Sequence, residues 1–243
     1  MIAAFFDIDG TIYRNSLLIE HFKKLIKYEL LDSKEYNINV APVYKLWEER
    51  KGDYDNYLQH LVESYVKSIK GLPISYNDFI SDQVVYLNGN KVYTYTRERI
   101  KFHQENKHKV IFISGSPDFL VSRMAKKFGV EDFCGSQYGI NKKTNTLSGE
   151  IVKPMWDSIH KKEAIDYYIN KYDIDMESSY AYGDTNGDFS MLKAVGNPVA
   201  INPSFELLTK IKEDEYLKSN TKIIVERKDA IYEFNTDVNI LKY

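Results

Sequence analysis

Four aspartates and a few small residues carry the chemistry open to this chain. Asp7 and Asp9 stand two residues apart in Asp7-Ile8-Asp9-Gly10-Thr11, and Asp184 and Asp188 fall in Gly183-Asp184-Thr185-Asn186-Gly187-Asp188. Ser114-Gly115-Ser116-Pro117 lies between them in the chain. Brought together, such carboxylates raise one another's pKa unless a cation joins them. An all-oxygen donor set points to Mg²⁺, and a single cysteine, Cys134, leaves no cysteine-rich zinc site. Beside that cation, one aspartate can attack phosphorus. A second can protonate the departing alkoxide and later take a proton from water. Ser114 and backbone N–H groups at a helix start suit phosphate oxygens. A lysine is still needed to offset the crowded negative charge. Lys161, near the start of a helical stretch, is the candidate, with Lys162 and Lys153 as rivals.

Other readings of the same residues fail on spacing. Asp184, Asn186 and Asp188 match positions 1, 3 and 5 of a calcium-binding loop, but Phe189 replaces the glycine at position 6 and Val195 the glutamate at position 12. Ser114 lacks the glycines two residues either side that a nucleophile elbow requires. The histidines show no metal-protease spacing and read as ordinary residues.

The elements that must position these groups are legible as short apolar runs at 2–6, 110–113, 179–182 and 198–201, with 223–225 as a last, edge strand. Continuous hydrophobicity belongs to strands covered on both faces, and an open parallel sheet binds ligands beyond its carboxyl ends. Each chemical stretch follows one of the first three strands. Ser116-Pro117 reads as the cap and first residue of a helix that Gly129 ends, 158–172 as another helix, and 138–152 as a hairpin. Roughly a hundred residues separate the first two strands, more than one crossover needs. They carry helical patterns at 16–31, 43–50, 55–69 and 75–87, before a helix at 92–106 returns to the sheet. The expected fold is α/β: a Rossmann-like parallel-sheet core of residues 1–14 and 89–243, with an α-helical module of residues 15–88 inserted. In that module Tyr44, Trp47, Tyr54, Tyr57, Tyr65 and Tyr76 either pack helices or line a pocket.

Composition narrows the class. With 33 Lys plus Arg against 35 Asp plus Glu, the net charge of −2 offers no footprint for nucleic acid. The 43% hydrophobic content excludes a disordered chain, and no apolar run approaches the ~18 residues of a membrane span. The apolar opening stops at Asp7 without a basic leader, so no signal peptide is expected. The expectation is a soluble, cytoplasmic protein without nucleic-acid or membrane partners; its oligomeric state is left open.

In this order the motifs resemble the haloacid dehalogenase superfamily, and its phosphoserine-phosphatase-like subfamily in particular. Asp7-Ile8-Asp9-Gly10-Thr11 matches motif I, Ser114 motif II, Lys161 motif III, and Gly183-Asp184 with Asp188 motif IV. Leu147-Ser148-Gly149-Glu150 and Asn197-Pro198-Val199-Ala200-Ile201-Asn202-Pro203 are similar to further stretches of that subfamily. The resemblance implies a C1-type cap between motifs I and II. It implies Asp7 as nucleophile and metal ligand, and Asp9 as acid/base that binds metal through its carbonyl. Thr11, Ser114, Gly115 and Lys161 would be the phosphate-binding residues, and Asp184 and Asp188 the remaining metal ligands. The chain departs from authentic phosphoserine phosphatases at Ser16, where a glutamate stands nine residues after the nucleophile, and lacks their arginine within 55–63. Gly187 replaces a common asparagine. Arg14 and Ser16 remain as candidate substrate contacts. The implied activity is Mg²⁺-dependent hydrolysis of a small phosphorylated metabolite through an aspartyl-phosphate on Asp7, and these departures disfavour phosphoserine as the substrate. A phosphotransferase or mutase using the same residues is the alternative, and a non-catalytic phospho-ligand sensor a more distant one.

Overall fold

The computed structural model describes residues 1–241. Strand β1 (Ala3–Phe6) is followed by helices α1 (Leu17–Lys27), α2 (Ala41–Glu48), α3 (Tyr54–Ser68), α4 (Ile74–Asn88) and α5 (Thr94–Glu105), with a π-helical turn over Tyr36–Val40 ahead of α2. Then come β2 (Lys109–Pro117), α6 (Asp118–Lys127), β3 (Asp132–Asn141), β4 (Thr146–Lys153), α7 (Ser158–Tyr172) and β5 (Tyr180–Gly183). A 3₁₀ turn over Asn186–Asp188 leads to α8 (Phe189–Lys193), β6 (Asn197–Ile201), α9 (Phe205–Glu213), α10 (Glu215–Asn220), β7 (Lys222–Arg227) and β8 (Ala230–Phe234).

The strands form one sheet in the order β4-β3-β2-β1-β5-β6-β7-β8. All pairs from β3 to β7 are parallel, so β1 lies inside with β2 on one side and β5 on the other. Both ends are closed by antiparallel strands. One expectation changes here. The run 223–225 is not an edge: β8 pairs along β7 after a turn through Lys228, whose φ is 55°. Its residues Ile231, Tyr232 and Phe234 are exposed, so no buried apolar run marked it. The hairpin expected at 138–152 is present, formed by β4 and the outer half of β3, whose inner half pairs with β2.

Strand alternation divides the core. Ala4, Phe6, Val110 and Phe112 point to one face, where they join Phe22, Leu25, Leu61, Tyr65, Val84 and Met124 in one apolar cluster. Ala3, Phe5, Ile111 and Ile113 point to the other, against Ile165, Tyr168, Leu192, Leu207 and Ile211. The helices between β1 and β2 are therefore packed continuously with the sheet. They are also laced to β4: Gly71 N donates to Leu147 O at 2.9 Å, Leu147 N to Leu72 O at 2.9 Å, and Ile74 N to Asn145 O at 3.1 Å. Arg123 on α6 reaches Asp82 at 2.5 Å and Asp78 at 3.1 Å on α4. Among the described residues no helix is long and apolar enough to cross a membrane.

His21 sits inside the α1–α3–α4 packing. Ser81 Oγ donates its proton to Asn77 O at 2.7 Å, so it accepts from His21 Nε2 at 3.2 Å. Tyr65 Oη, 2.9 Å away, donates to Nδ1. The neutral ring is satisfied, and burial lowers its pKa from 6.5 to about 3. The folded pKa lies below the unfolded one, so this contribution to stability is full above pH 6.5 and is lost as pH falls toward 3. Wild type should therefore lose about 2 kcal/mol from this residue between about pH 7 and pH 5 that His21→Gln does not lose. Urea unfolding of both proteins at the two pH values reads the difference; parallel pH dependence would contradict it.

Candidate active site

The first turn after β1 folds tightly on itself, with Ile8 O accepting from Thr11, Ile12 and Tyr13 N at 3.2, 2.8 and 2.7 Å. Gly10 makes this possible. Its φ is +81°, and a Cβ there would stand 2.0 Å from Asp184 Oδ2, so the motif I turn and the loop after β5 meet over a residue with no side chain. Thr11 Oγ1 completes the junction by donating to Asp184 Oδ1 at 2.8 Å, which commits the hydroxyl to a carboxylate.

Lys161 occupies the first turn of α7, a helix capped by Asp157, which accepts from Ile159 N at 3.0 Å and His160 N at 2.9 Å. Its Nζ lies 2.7 Å from Asp7 Oδ1 and 2.5 Å from Asp188 Oδ1, with only 2% of the residue exposed. Lys162 points outward to Asp166, and Lys153 ends β4 at the surface. Of the three lysines, the structure brings Lys161 to the aspartates. Asp188 Oδ2 accepts from Asp184 N and Thr185 N, both at 3.0 Å, which fixes the loop that presents Asp184.

Asp7, Asp184 and Asp188 can each place a carboxylate oxygen within 4.8 Å of the others. Burial pushes Asp7 up to about 7, opposed by Lys161 and reinforced by Asp188. Asp184 is held well above the ordinary carboxylate range by burial, then by Asp188 and Asp7. Burial disfavours the Lys161 charge, but Asp188 and Asp7 outweigh it and the lysine pKa rises. One ammonium among this many buried carboxylates leaves an excess of negative charge that a divalent cation would offset. The hard oxygen donors fit Mg²⁺.

Asp9 stands slightly apart. Its Oδ2 accepts from Ser116 Oγ at 2.6 Å and Ser16 Oγ at 3.2 Å, and its Oδ1 from Leu17 N at 3.0 Å. Burial raises its pKa despite these donors. Ser16, a candidate for substrate contact, is thus placed on Asp9. Ser116 does not cap α6 as expected: Pro117 holds that position, and the serine hydroxyl turns to the acid. Ser114 is fully buried and its Oγ accepts from Ser116 N at 3.3 Å. The Gly115 carbonyl accepts from Ser136 Oγ at 2.7 Å, and the same Oγ accepts from Met155 N at 3.1 Å. Arg14 remains exposed with its guanidinium 5.7 Å from the Tyr93 ring centre, outside this group.

Among the helices above the sheet, Tyr57 and Tyr65 are buried packing residues and Tyr76 is half exposed on α4. Tyr54 differs. It packs 5.4 Å from Trp47, and its pKa is raised by burial and then by Asp184 and Asp9, so its hydroxyl lies within electrostatic reach of the carboxylates. Its aromatic neighbours are equally tyrosine-rich in sequence, which is why nothing there singled it out. The departure at Gly187 has a steric cause. A Cβ at that position would lie 2.1 Å from the Trp156 carbonyl oxygen, so this loop has no room for asparagine.

Comparison with known proteins gives the same grouping. A histidinol-phosphatase of Neisseria meningitidis serogroup C is 23% identical over 223 residues, covering 90% of this chain and 98% of its own. A phosphoserine phosphatase of Mycobacterium tuberculosis is 23% identical over 215 residues, covering 87% of this chain and 68% of its own. A solved phospho-aspartyl intermediate analogue of phosphoserine phosphatase shares the fold, with a TM-score of 0.60 at 21% identity over 86% of this chain and 90% of that one. The family model for haloacid dehalogenase-like hydrolases matches residues 4–193, from within β1 to the end of α8, and the chain belongs to that family.

Proposed function

We propose that the protein is a Mg²⁺-dependent phosphomonoester hydrolase that works through an aspartyl-phosphate on Asp7. The observation that carries this reading is the state of Asp7: buried, with Oδ1 held by Lys161, while among the described residues Oδ2 accepts no hydrogen bond. A carboxylate with one oxygen fixed and the other unencumbered is suited to attack. Asp7, the Asp9 carbonyl and Asp184 would hold Mg²⁺, with Asp188 supporting through water, and the ion would offset the charge of the reacting phosphoryl group.

The remaining work falls to the chain's own groups. An Asp7 oxygen forms a bond to phosphorus as the bond to the substrate alkoxide breaks, and Asp9 gives that alkoxide its proton. Asp9 then takes a proton from the water that attacks phospho-Asp7, releasing phosphate. Ser114 and the Gly115 N–H orient the phosphate oxygens, and Lys161 balances charge while the phosphoryl group passes. Residues 15–88 act as the cap over this site.

The substrate is a small phosphorylated alcohol, and phosphoserine suits the site poorly. Ser16 is engaged with Asp9 and Arg123 with Asp78 and Asp82, so neither is free to grip a zwitterion. One relative is named for histidinol phosphate and the other for phosphoserine, which supports a small phosphorylated alcohol without choosing one. The test is phosphate release from p-nitrophenyl phosphate and a metabolite panel of phosphoserine, phosphoethanolamine, phosphocholine, sugar phosphates and nucleotides. Turnover should vanish in EDTA and return with Mg²⁺. No Mg²⁺-dependent release from any of them would overturn the proposal, and a strong phosphoserine preference would overturn the substrate reading.

A further inference from the structure

The Asp9 carboxylate is gripped from two directions, by a residue 107 positions away and by residues seven and eight positions on. Ser116, at the end of β2, donates to Oδ2 at 2.6 Å, a short bond of the charge-assisted kind. From the inserted helices, Ser16 Oγ donates to Oδ2 at 3.2 Å and Leu17 N to Oδ1 at 3.0 Å. Ser16 stands at the N-cap position of α1, yet its hydroxyl makes no capping bond to its own helix. Ser116 is buried, and the φ of −53° at Pro117 restrains the chain beyond it. Neither hydroxyl has another acceptor among the described residues.

These donors differ in kind. A backbone N–H can only donate, so Leu17 keeps Oδ1 an acceptor. A serine hydroxyl donates or accepts by rotating, and so serves Oδ2 with or without a proton. We infer that Ser116, seconded by Ser16, is a positioning residue that makes Oδ2 the proton-transferring oxygen of Asp9 and aims it at the leaving group. The inference rests on the phosphatase reading above. In the step concerned, the Asp7–phosphorus bond forms, the phosphorus–alkoxide bond breaks, and the proton on Asp9 Oδ2 passes to the alkoxide oxygen.

A residue that aims the acid matters in proportion to the leaving group's need for a proton. p-Nitrophenolate departs unprotonated; an alkoxide does not. The experiment compares kcat/KM, which reports the first phosphoryl transfer, for p-nitrophenyl phosphate and for the alkyl phosphate of the panel that wild type turns over fastest. Ser116→Ala should lower kcat/KM about 30-fold on the alkyl ester and about 3-fold or less on the aryl ester. Ser16→Ala should act in the same direction more weakly, and Ser116→Thr should recover the alkyl reaction. Equal losses on the two esters would assign the serines to packing or phosphate binding and overturn the inference. Should Ser116→Ala fail to fold, the Ser16→Ala ratio decides alone, since that hydroxyl caps nothing. A wild type inactive on both esters would instead strike the phosphatase reading.

Discussion

Asp7→Asn is expected to release no measurable phosphate, a loss of at least about 10³-fold, because the amide keeps the shape of the side chain and removes the proposed nucleophile. Mass spectrometry must accompany the assay, since deamidation would regenerate the aspartate and mimic residual activity. The same substitution has an opposite effect on the fold. Burial penalises the Asp7 charge enough to push its pKa up to about 7. A neutral side chain relieves that penalty, so in EDTA at about pH 8 the variant should melt at a higher temperature than wild type. Full activity in a variant shown to be free of aspartate would remove Asp7 from the mechanism. A lower melting temperature would show that its bond to Lys161 outweighs the cost of burial.

Lys161→Met should do the converse and harm both properties. It strips the ammonium from Asp7 and Asp188, both almost fully buried, and leaves them without a counter-charge. Breaking a buried pair by removing one partner costs about 3–5 kcal/mol. Urea unfolding in EDTA should show a loss of that size, and Mg²⁺ should return part of it by binding only the folded form. Activity should fall by about 10²–10³-fold, the cost of removing one preorganised charge from such a site. Lys162→Met is the control: its partner Asp166 is exposed, and the change should cost less than about 1 kcal/mol. Equal effects from the two lysines would contradict the arrangement.

These residues differ in how far the sequence alone could place them. Asp7, Ser114 and Asp184 follow buried strands of a parallel sheet, so the topology that hides those strands also delivers the loops beyond them to one edge. Lys161 and Lys162 were harder to separate, since neighbours on a helix point about 100° apart and only the packed face of α7 decides between them. Serine before proline, as at Ser116-Pro117, looks like a helix cap, and nothing local announces that Asp9, more than a hundred positions earlier, takes the Ser116 hydroxyl. β8 carries no clear signal in the sequence because its apolar residues are exposed, and a strand that only covers an edge needs no buried face. The inserted helices were visible as helices, but the partners of their aromatic residues depend on tertiary contacts that periodicity does not encode.

The interior position of β1 has a consequence for how the protein is made. Its residues emerge first of the sheet, yet its two neighbours begin at Lys109 and Tyr180. At ribosomal rates of about 5–20 residues per second, completing both sides takes roughly 10–35 s. Through that interval Ala3-Ala4-Phe5-Phe6 is an apolar segment with no partner strand on its β5 side. The strand that leads into Asp7 is thus the one the newborn chain must shelter longest, and a holding chaperone acting at this stage would act beside the candidate site.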